Sequence, residues 1–291
     1  MGNYSIKELE SLSGIKAHTI RIWEKRHQLI APQRTSTNIR YYSDRDLKKI
    51  INVSLLNNKG IKISTIAGMS LDELNAKVVE LSHGQHETSI FIDQLIVGMV
   101  DMDEEQFEKQ LGHLIMKFGF EKTITDIVYP FLEKIGILWQ TGNITPAQEH
   151  FISNLIRQKI IVAIDSLPFP PKGADKIVLF LPEDELHEIG LLFFHYIVRR
   201  AGYRTFYLGQ HLPYSDLKQV CEKHKPNYLI TSISVLQRAE DLKEYFAKLV
   251  QEFPNTILFI SGKQGEQVMP KGKNVRTFTT AESLLAQIQQ K

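Results

Sequence analysis

Apolar residues recur at helical spacing in short stretches to about residue 81, and at helical spacing in longer stretches from Ile90 to Leu167. Beyond that they form short continuous runs between helical segments. Ser5-x-x-Glu8 is a capping box opening a short helix with Ile6, Leu9 and Leu12 on one face. Gly14 makes the turn, and a second helix from about Ala17 to His27 is expected to bury Ile20, Trp23 and part of the Ile22 face. Two short helices across a Gly turn form the helix-turn-helix pattern. Pro32 breaks the second, and the polar, β-prone stretch Arg34–Tyr42 is long enough for a two-stranded wing. Ser43-x-x-Asp46 caps a third helix that reaches about Asn58 and ends at Gly60; Ser64–Met69 and Leu71–Leu81 add two short helices.

Ser82–Ser89 has few apolar residues and reads as a linker. The next region predicts helices over Ile90–Met99, Met102–Phe118, Glu121–Gln140 and Pro146–Leu167. Thr145-Pro146-x-Gln148 starts the last with a cap, a Pro at the first position and a Gln completing the box. Short loops imply antiparallel neighbours, as in a four-helix bundle, with a kink at Pro130. Pro168–Gly173 is a stiff linker. Strands are then expected at Lys176–Leu181, Thr205–Leu208, Tyr228–Ser232, Ile257–Ile260 and Val275–Phe278, with helices at Glu188–Ala201, Tyr214–Lys223, Arg238–Glu252 and Ala281–Gln290. That alternation gives an α/β flavodoxin-like doubly wound parallel sheet. The organisation read from these patterns is multidomain: an all-α winged helix-turn-helix over 1–81, a four-helix bundle over 88–167, and a Rossmann-like sheet domain over 174–291.

Charge sharpens this picture. Residues 1–50 hold ten Lys/Arg against five Asp/Glu, whereas residues 88–150 hold four against ten, on a chain whose net charge is only +2. A basic head on a neutral chain points to a nucleic-acid-binding end. The single cysteine, Cys221, excludes a disulfide framework and any multi-cysteine metal site, and suits a reducing cytoplasm. The N-terminus has no basic-then-apolar signal pattern and no apolar run reaches membrane-spanning length, so a cytoplasmic protein without a membrane partner is expected.

The most informative chemistry lies in Glu185-Leu-His187-Glu-Ile-Gly190, which follows the first strand and opens the first helix of the sheet region. Ligands of open α/β sheets bind at the carboxyl edge of the strands. A neutral imidazole there can coordinate a metal through one nitrogen while a carboxylate two residues earlier holds the other, and Gly190 lets a bulky ligand approach the backbone. Taken alone, His187 is one of ten histidines and reads as a loop residue. The stretch resembles the Asp-x-His-x-x-Gly signature of cobalamin-binding domains, with Glu185 in the Asp place. That resemblance implies that His187 is the lower cobalt ligand, in place of the cofactor's own base. It also implies that Ser232 and Ser234 stand in the family's Ser-x-Leu place, Ser232 facing the cofactor's tail, and that Ser261-Gly262 stand where many members have Gly-Gly. Leu208-Gly209 would end the second strand. Two departures weigh against cofactor binding: Glu185 is a methylene longer than Asp, and Ser261 adds a side chain where the tail would pass.

The head resembles the MerR-type winged helix-turn-helix in Tyr4-Ser-Ile-x-Glu8-Leu, Gly14-Ile15, Thr19-Ile-Arg-x-Trp-Glu-x-Arg26, Leu29, Pro32, Arg34-Thr and Arg40-Tyr-Tyr-Ser-x-x-Asp46-Leu. The resemblance implies that the second helix enters the major groove and that the wing lies on flanking phosphates of a double-stranded DNA operator. Lys16, His18, Thr19, Arg21, Arg26, Arg34, Arg40 and Tyr41 are the candidate contacts, and Trp23 is a core residue. Trp139 with Glu149-His150 ten and eleven residues on would, in isolation, read as a bundle-end aromatic and a helix-dipole partner. In this context it resembles the Trp-x9-Glu-His motif of light-sensing cobalamin regulators of the CarH/LitR type. In that family the Trp covers the adenosyl group on the upper face, the Glu bonds it, and a histidine directly after the Trp takes the upper position after illumination. Here that residue is Gln140, which leaves His150 as the nearest substitute.

The combined resemblance implies a non-enzymatic, adenosylcobalamin-dependent, light-responsive transcriptional regulator, a repressor acting as a homo-oligomer (dimer or tetramer) on a pseudo-palindromic site. Two alternatives stay open. One is a MerR-type regulator whose sensor takes another ligand or a protein. The other is a corrinoid-carrying component of a methyl-transfer enzyme, against which the DNA-binding head argues.

Overall fold

The computed structural model describes residues 4–35, 38–70, 73–74, 76–77, 88–140, 144–234, 239–262 and 264–290, leaving aside the side chains of Ser11, Ser89, residues 137–140 and Ala239. The chain forms two compact units, Met1–Leu155 and Ile156–Lys291.

In the first unit, α1 (Ile6–Ser13) and α2 (Ala17–His27) are joined through Gly14 in the left-handed region. The Ser5/Glu8 capping box is present, a device worth about 1 kcal/mol. The wing is β1 (Gln33–Arg34) paired antiparallel with β2 (Arg40–Tyr41). Tyr4 and Tyr42 exchange two backbone hydrogen bonds, at 2.9 and 2.8 Å, and both side chains are fully buried. Their hydroxyls donate to Asp44 (2.8 Å) and Glu24 (3.1 Å), so the wing base is tied both to α2 and to α3 (Asp44–Asn58). Ser54, on α3, donates to the carbonyl of Ser13 at 2.7 Å and fixes the α1–α2 turn from below. Ile20 is buried as expected, whereas Ile22 is 52% exposed, because it falls on the opposite side of α2 from the core. α4 (Ile63–Ala67) follows, and most of the expected 71–81 helix lies outside the described residues.

α5 begins at Thr88 and runs to Asp101, so the end of the expected linker is helical. α6 (Glu104–Phe118) packs on it, with Phe91 edge-on to Phe118 at 5.6 Å and Phe107 against Phe131 at 5.8 Å. The third helix is not one regular element. α7 (Phe120–Thr123) passes through a π-helical turn, Ile124–Val128, into α8 (Tyr129–Gln140). Pro130 lacks an N–H, and its ring crowds the preceding carbonyls. The expected distortion takes the form of a widened turn, in which Tyr129 N–H donates to Ile124 five residues back. α9 (Pro146–Asp165) starts with the Thr145/Gln148 box, Gln148 N–H donating to Thr145 Oγ1 at 3.3 Å and Thr145 N–H to Gln148 Oε1 at 3.0 Å. Its residues from Ile156 onward belong to the second unit.

The second unit is a five-stranded parallel sheet of β3 (Lys176–Pro182), β4 (Arg204–Leu212), β5 (Tyr228–Ser232), β6 (Ile257–Ser261) and β7 (Val275–Thr277), in the order β4-β3-β5-β6-β7. The crossover helices are α10 (Ile189–Arg200), α11 (Tyr214–His224) and α12 (Ala239–Glu252), and α13 (Ala281–Gln289) follows β7. One face packs Leu217, Cys221, Phe246 and Leu249 against Val178, Phe180, Leu229, Leu258 and Ile260. On the other, Phe194 meets Phe278 edge-on at 4.8 Å. With both faces covered, β3 and β5 are buried almost throughout, which is why they read as unbroken apolar runs. β4 corrects the expectation that Gly209 ends the second strand. It continues to Leu212 through shifts in its pairing with β3, with Gly209 and His211 at positive φ.

Candidate functional site

The sheet reverses its strand order between β3 and β5, and the crevice outside the carboxyl ends at that point is where such sheets take ligands. The loop from β3 to α10 carries Glu185, His187 and Glu188; the segment after β5 carries Ser234. Among the described residues a hydrogen bond joins the two, Ser234 N–H donating to Glu185 Oε2 at 2.8 Å. The other carboxylate oxygen of Glu185 accepts from His187 twice, from its backbone N–H at 3.0 Å and from Nδ1 at 2.7 Å. Glu185 is 5% exposed, whereas the His187 side chain is 63% exposed. A carboxylate only accepts, so Nδ1 carries the proton and Nε2 is the nitrogen with a lone pair for a metal. The two oxygens of the one carboxylate divide the work, one taking Ser234 and the other holding His187.

Around this pair, Ser232 and Ser261 end adjacent strands in register, and both are buried. Ile233 N–H donates to the Ser261 carbonyl at 2.8 Å. Gly262 sits at φ +95, where an added Cβ would lie 2.3 Å from the Ile233 carbonyl oxygen, so the backbone itself demands glycine there. Gly190 differs. Among the described residues a Cβ there would meet only Ser232 Oγ, at an ordinary 3.9 Å, so their packing does not require glycine, whereas a bulky ligand over the loop would. No group of three or more His, Cys, Asp or Glu that could hold a bare metal ion exists among the described residues. A corrinoid needs no such group, because its ring supplies the equatorial nitrogens and the protein adds a single axial donor. An oriented, exposed imidazole beside a glycine that this packing does not use therefore fits a corrinoid.

Three features escape a reading of the sequence. His211, on the extension of β4, accepts from Asp184 N–H through Nδ1 at 3.1 Å, and its own N–H donates to the Glu185 carbonyl at 3.3 Å. Glu188, 8% exposed, accepts from Tyr207 Oη at 2.7 Å and from Arg157 Nε at 2.5 Å. His195 stacks flat on Tyr207, with ring centroids 5.1 Å apart, and shares a 2.9 Å bond between Nε2 and Thr205 Oγ1. Burial, aided by the nearby Arg199 charge, pushes the His195 imidazole down to about 4. Glu188 adjoins His187, but its partners lie 31 and 19 residues away and leave no local trace.

Trp139, Glu149 and His150 belong to the first unit. Trp139 and Gln140 close α8, with side chains outside the described residues. In the first turns of α9, Glu149 accepts from Ser153 Oγ at 2.6 Å and lies 2.7 Å from His150 Nδ1.

On the head, His18, Arg21, Ile22, Lys25 and Arg26 line one exposed or half-exposed face of α2 at helical spacing, with Thr19 beside them; Lys16 precedes the helix and pairs with Glu10 at 3.2 Å. The wing side chains are held: Arg34 donates to Asn38 Oδ1 at 2.7 Å, Tyr41 to Gln33 at 2.7 Å, and Arg40 lies 3.7 Å from Glu24. Glu24 thus anchors the wing through both Tyr42 and Arg40.

The family model described as MerR HTH family regulatory protein matches residues 4–72, and the one described as B12 binding domain matches residues 91–163. The two matches give the chain a MerR-type DNA-binding head and a B12-binding module. It is 26% identical over 257 residues to the HTH-type transcriptional repressor CarH of Myxococcus xanthus, covering 86% of this chain and 85% of that protein. To the repressor CarA of the same organism it is 26% identical over 249 residues, covering 85% and 81%. The Methanosarcina barkeri monomethylamine corrinoid protein shares the fold at TM-score 0.56 and 16% identity, covering 69% of this chain and 98% of that chain. CarH and CarA are both named as transcriptional repressors. No helix among the described residues is long and apolar enough to cross a membrane.

Proposed function

We propose that the protein is an adenosylcobalamin-dependent, light-responsive repressor that binds a pseudo-palindromic operator as a dimer or larger oligomer. The observation that carries this is the Glu185–His187 pair at the switch point of the sheet, on a chain whose other end is a basic winged helix-turn-helix. In this reading three modules divide the work: residues 1–81 bind DNA, 88–167 cover the cofactor and 174–291 hold it. α2 reads the major groove through Arg21 with Lys16, His18, Thr19 and Arg26 nearby, while Arg34, Arg40 and Tyr41 hold phosphates. His187 is the lower cobalt ligand, oriented by Glu185. Ser232, Ser234, Ser261 and Gly262 line the tail side, and Trp139, Glu149 and His150 face the adenosyl group. When bound, adenosylcobalamin supplies a cobalt–carbon bond that light breaks. CarH and CarA carry the word repressor in their names, which supports repression.

The test is to incubate the purified full-length protein with adenosylcobalamin in the dark, record its visible spectrum, and measure operator affinity and oligomer size before and after illumination. His187→Ala is expected to bind the cofactor about 10–100-fold more weakly. Operator affinity and size that ignore illumination of the loaded protein would remove light as the signal and leave a cobalamin-level sensor. Ser261, buried where many cobalamin proteins have glycine, favours a second reading, a sensor that takes another ligand or a protein without cobalamin. Failure to take up any cobalamin would establish that reading instead.

A further inference from the structure

The loop that carries His187 is held on both sides. Among the described residues, Glu185 accepts three hydrogen bonds on one side, and on the other Glu188 accepts two, from Tyr207 on β4 and Arg157 on α9. Both carboxylates are buried, while the imidazole between them is exposed. Burying a carboxylate is costly unless charge and hydrogen bonds offset it. Glu188 is offset by a guanidinium and a phenol, each from a different element, which is more machinery than the start of α10 needs: Glu188 makes no side-chain bond to that helix's own amides. The phenol is fixed in turn, because the flat stack of His195 and the Thr205 bond leave the Tyr207 ring little freedom.

We propose that Glu188, anchored by Arg157 and Tyr207, is a second positioning carboxylate for His187, and that Arg157 ties helix α9 to the height at which the imidazole is presented. The inference rests on the reading of His187 as the lower ligand of a corrinoid. Glu185 sets the tautomer and the rotation of the ring; Glu188 sets where the backbone of its neighbour stands. Loss of the anchor leaves the imidazole intact and correctly protonated, but lets the loop shift, so axial ligation weakens without loss of the ligand itself.

The probe is methylcobalamin, whose visible spectrum changes when a nitrogen base occupies the lower position. Full-length wild type, His187→Ala, Tyr207→Phe, Arg157→Leu and Arg157→Lys are loaded, and the histidine-ligated fraction, the affinity and the melting temperature of the cofactor-free protein are measured. Tyr207→Phe keeps the ring and its stack, so it folds as wild type does; its affinity is expected to fall about 3–10-fold with a smaller histidine-ligated fraction. Arg157→Leu is expected to lose about 10–100-fold, the range for residues that support metal ligands. Arg157→Lys is expected to recover much of the ligated spectrum, since it restores the charge without the planar fork. Variants with the wild-type spectrum and affinity overturn the inference even if they melt lower, because a merely structural pair changes melting alone. A wild type whose spectrum matches His187→Ala overturns the lower-ligand reading and this inference together, a result seen in the wild type and not in the variants.

Discussion

Among the described residues, two glutamate–histidine pairs have the same separation and very different settings. In Glu185–His187 and in Glu149–His150 the carboxylate lies 2.7 Å from Nδ1. Glu185 is buried on a loop and fixed by a backbone amide from another strand segment. Glu149 is 35% exposed on a helix, and it accepts a hydrogen bond from Ser153 one turn away. An exposed pair of this kind contributes little and exchanges readily with water. The separation does not distinguish them; the hydrogen bond that His187 makes and the fixing of its acceptor do. A buried acceptor with three donors orients an imidazole permanently, whereas a half-exposed one on its own helix can give up its partner to a ligand. The first setting suits a permanent axial donor and the second suits a group that engages an arriving adenosyl moiety.

Glu185→Ala is the change that should break this contrast most severely. It strips the acceptor from Ser234 N–H and from two donors of His187, so the second unit should lose about 1–3 kcal/mol, and cobalamin affinity should fall by up to about 100-fold. Chemical denaturation and a spectral titration measure the two. A variant with wild-type affinity would show that burial of Glu185 does not serve the imidazole.

Much of this site was legible because its parts are close in sequence. The two-residue spacing of Glu185 and His187, the apolar runs of β3 and β5 and the Ser5, Ser43 and Thr145 boxes are local, and local signals survive reading in one dimension. The continuation of β4 past Gly209 was not legible, since a register shift belongs to the pairing of two strands. Nor was the anchor of Glu188: a tyrosine in a strand and an arginine on a helix each have ordinary uses, and only folding brings them to one carboxylate. Pro130 announced a distortion, but whether the helix bends or widens is decided by what packs around it.

His195 offers a third histidine, one held neutral by burial, and a pH-dependent effect of intermediate size. Its folded value is about 4 against 6.5 for an unburied imidazole, so below 6.5 the unfolded chain binds the proton that the folded chain refuses. Its Nδ1 has no hydrogen-bond partner among the described residues to favour the charged form. Stability should therefore be full above pH 6.5 and decline as pH falls toward 4, with about 2 kcal/mol lost by pH 5. His195→Gln should flatten that acid limb in denaturant titrations of the cofactor-free protein. An unchanged limb would mean that other groups set it.

Glu149→Ala should hardly alter folding, by less than about 0.5 kcal/mol, because the residue is partly exposed and its partners can turn to water. If Glu149 bonds the adenosyl group, the preference for adenosylcobalamin over methylcobalamin should fall about 3–10-fold, the worth of one hydrogen bond. Equal losses for both cofactors would assign Glu149 to general packing and erase the distinction between the two pairs.

The smallest effect is expected from Arg40→Ala on the wing, and it tests whether an exposed ion pair can be surrendered to a ligand, as argued for Glu149. Arg40 stands 3.7 Å from Glu24, a long contact with the arginine 42% exposed, so breaking it to reach a phosphate costs little. Glu24 is not stranded when Arg40 leaves, because the Tyr42 hydroxyl continues to donate to it. The wing base therefore keeps its shape, and the variant should lose one phosphate contact and nothing else. Affinity should fall alike for operator and unrelated DNA, and the slope of log affinity against log salt should flatten by about one unit. That makes wild type and variant differ by about fourfold more at 50 mM than at 200 mM salt. A loss confined to the operator would instead place Arg40 at a base edge, and an unchanged slope would leave Arg40 as a strut for Glu24 with no part in binding DNA.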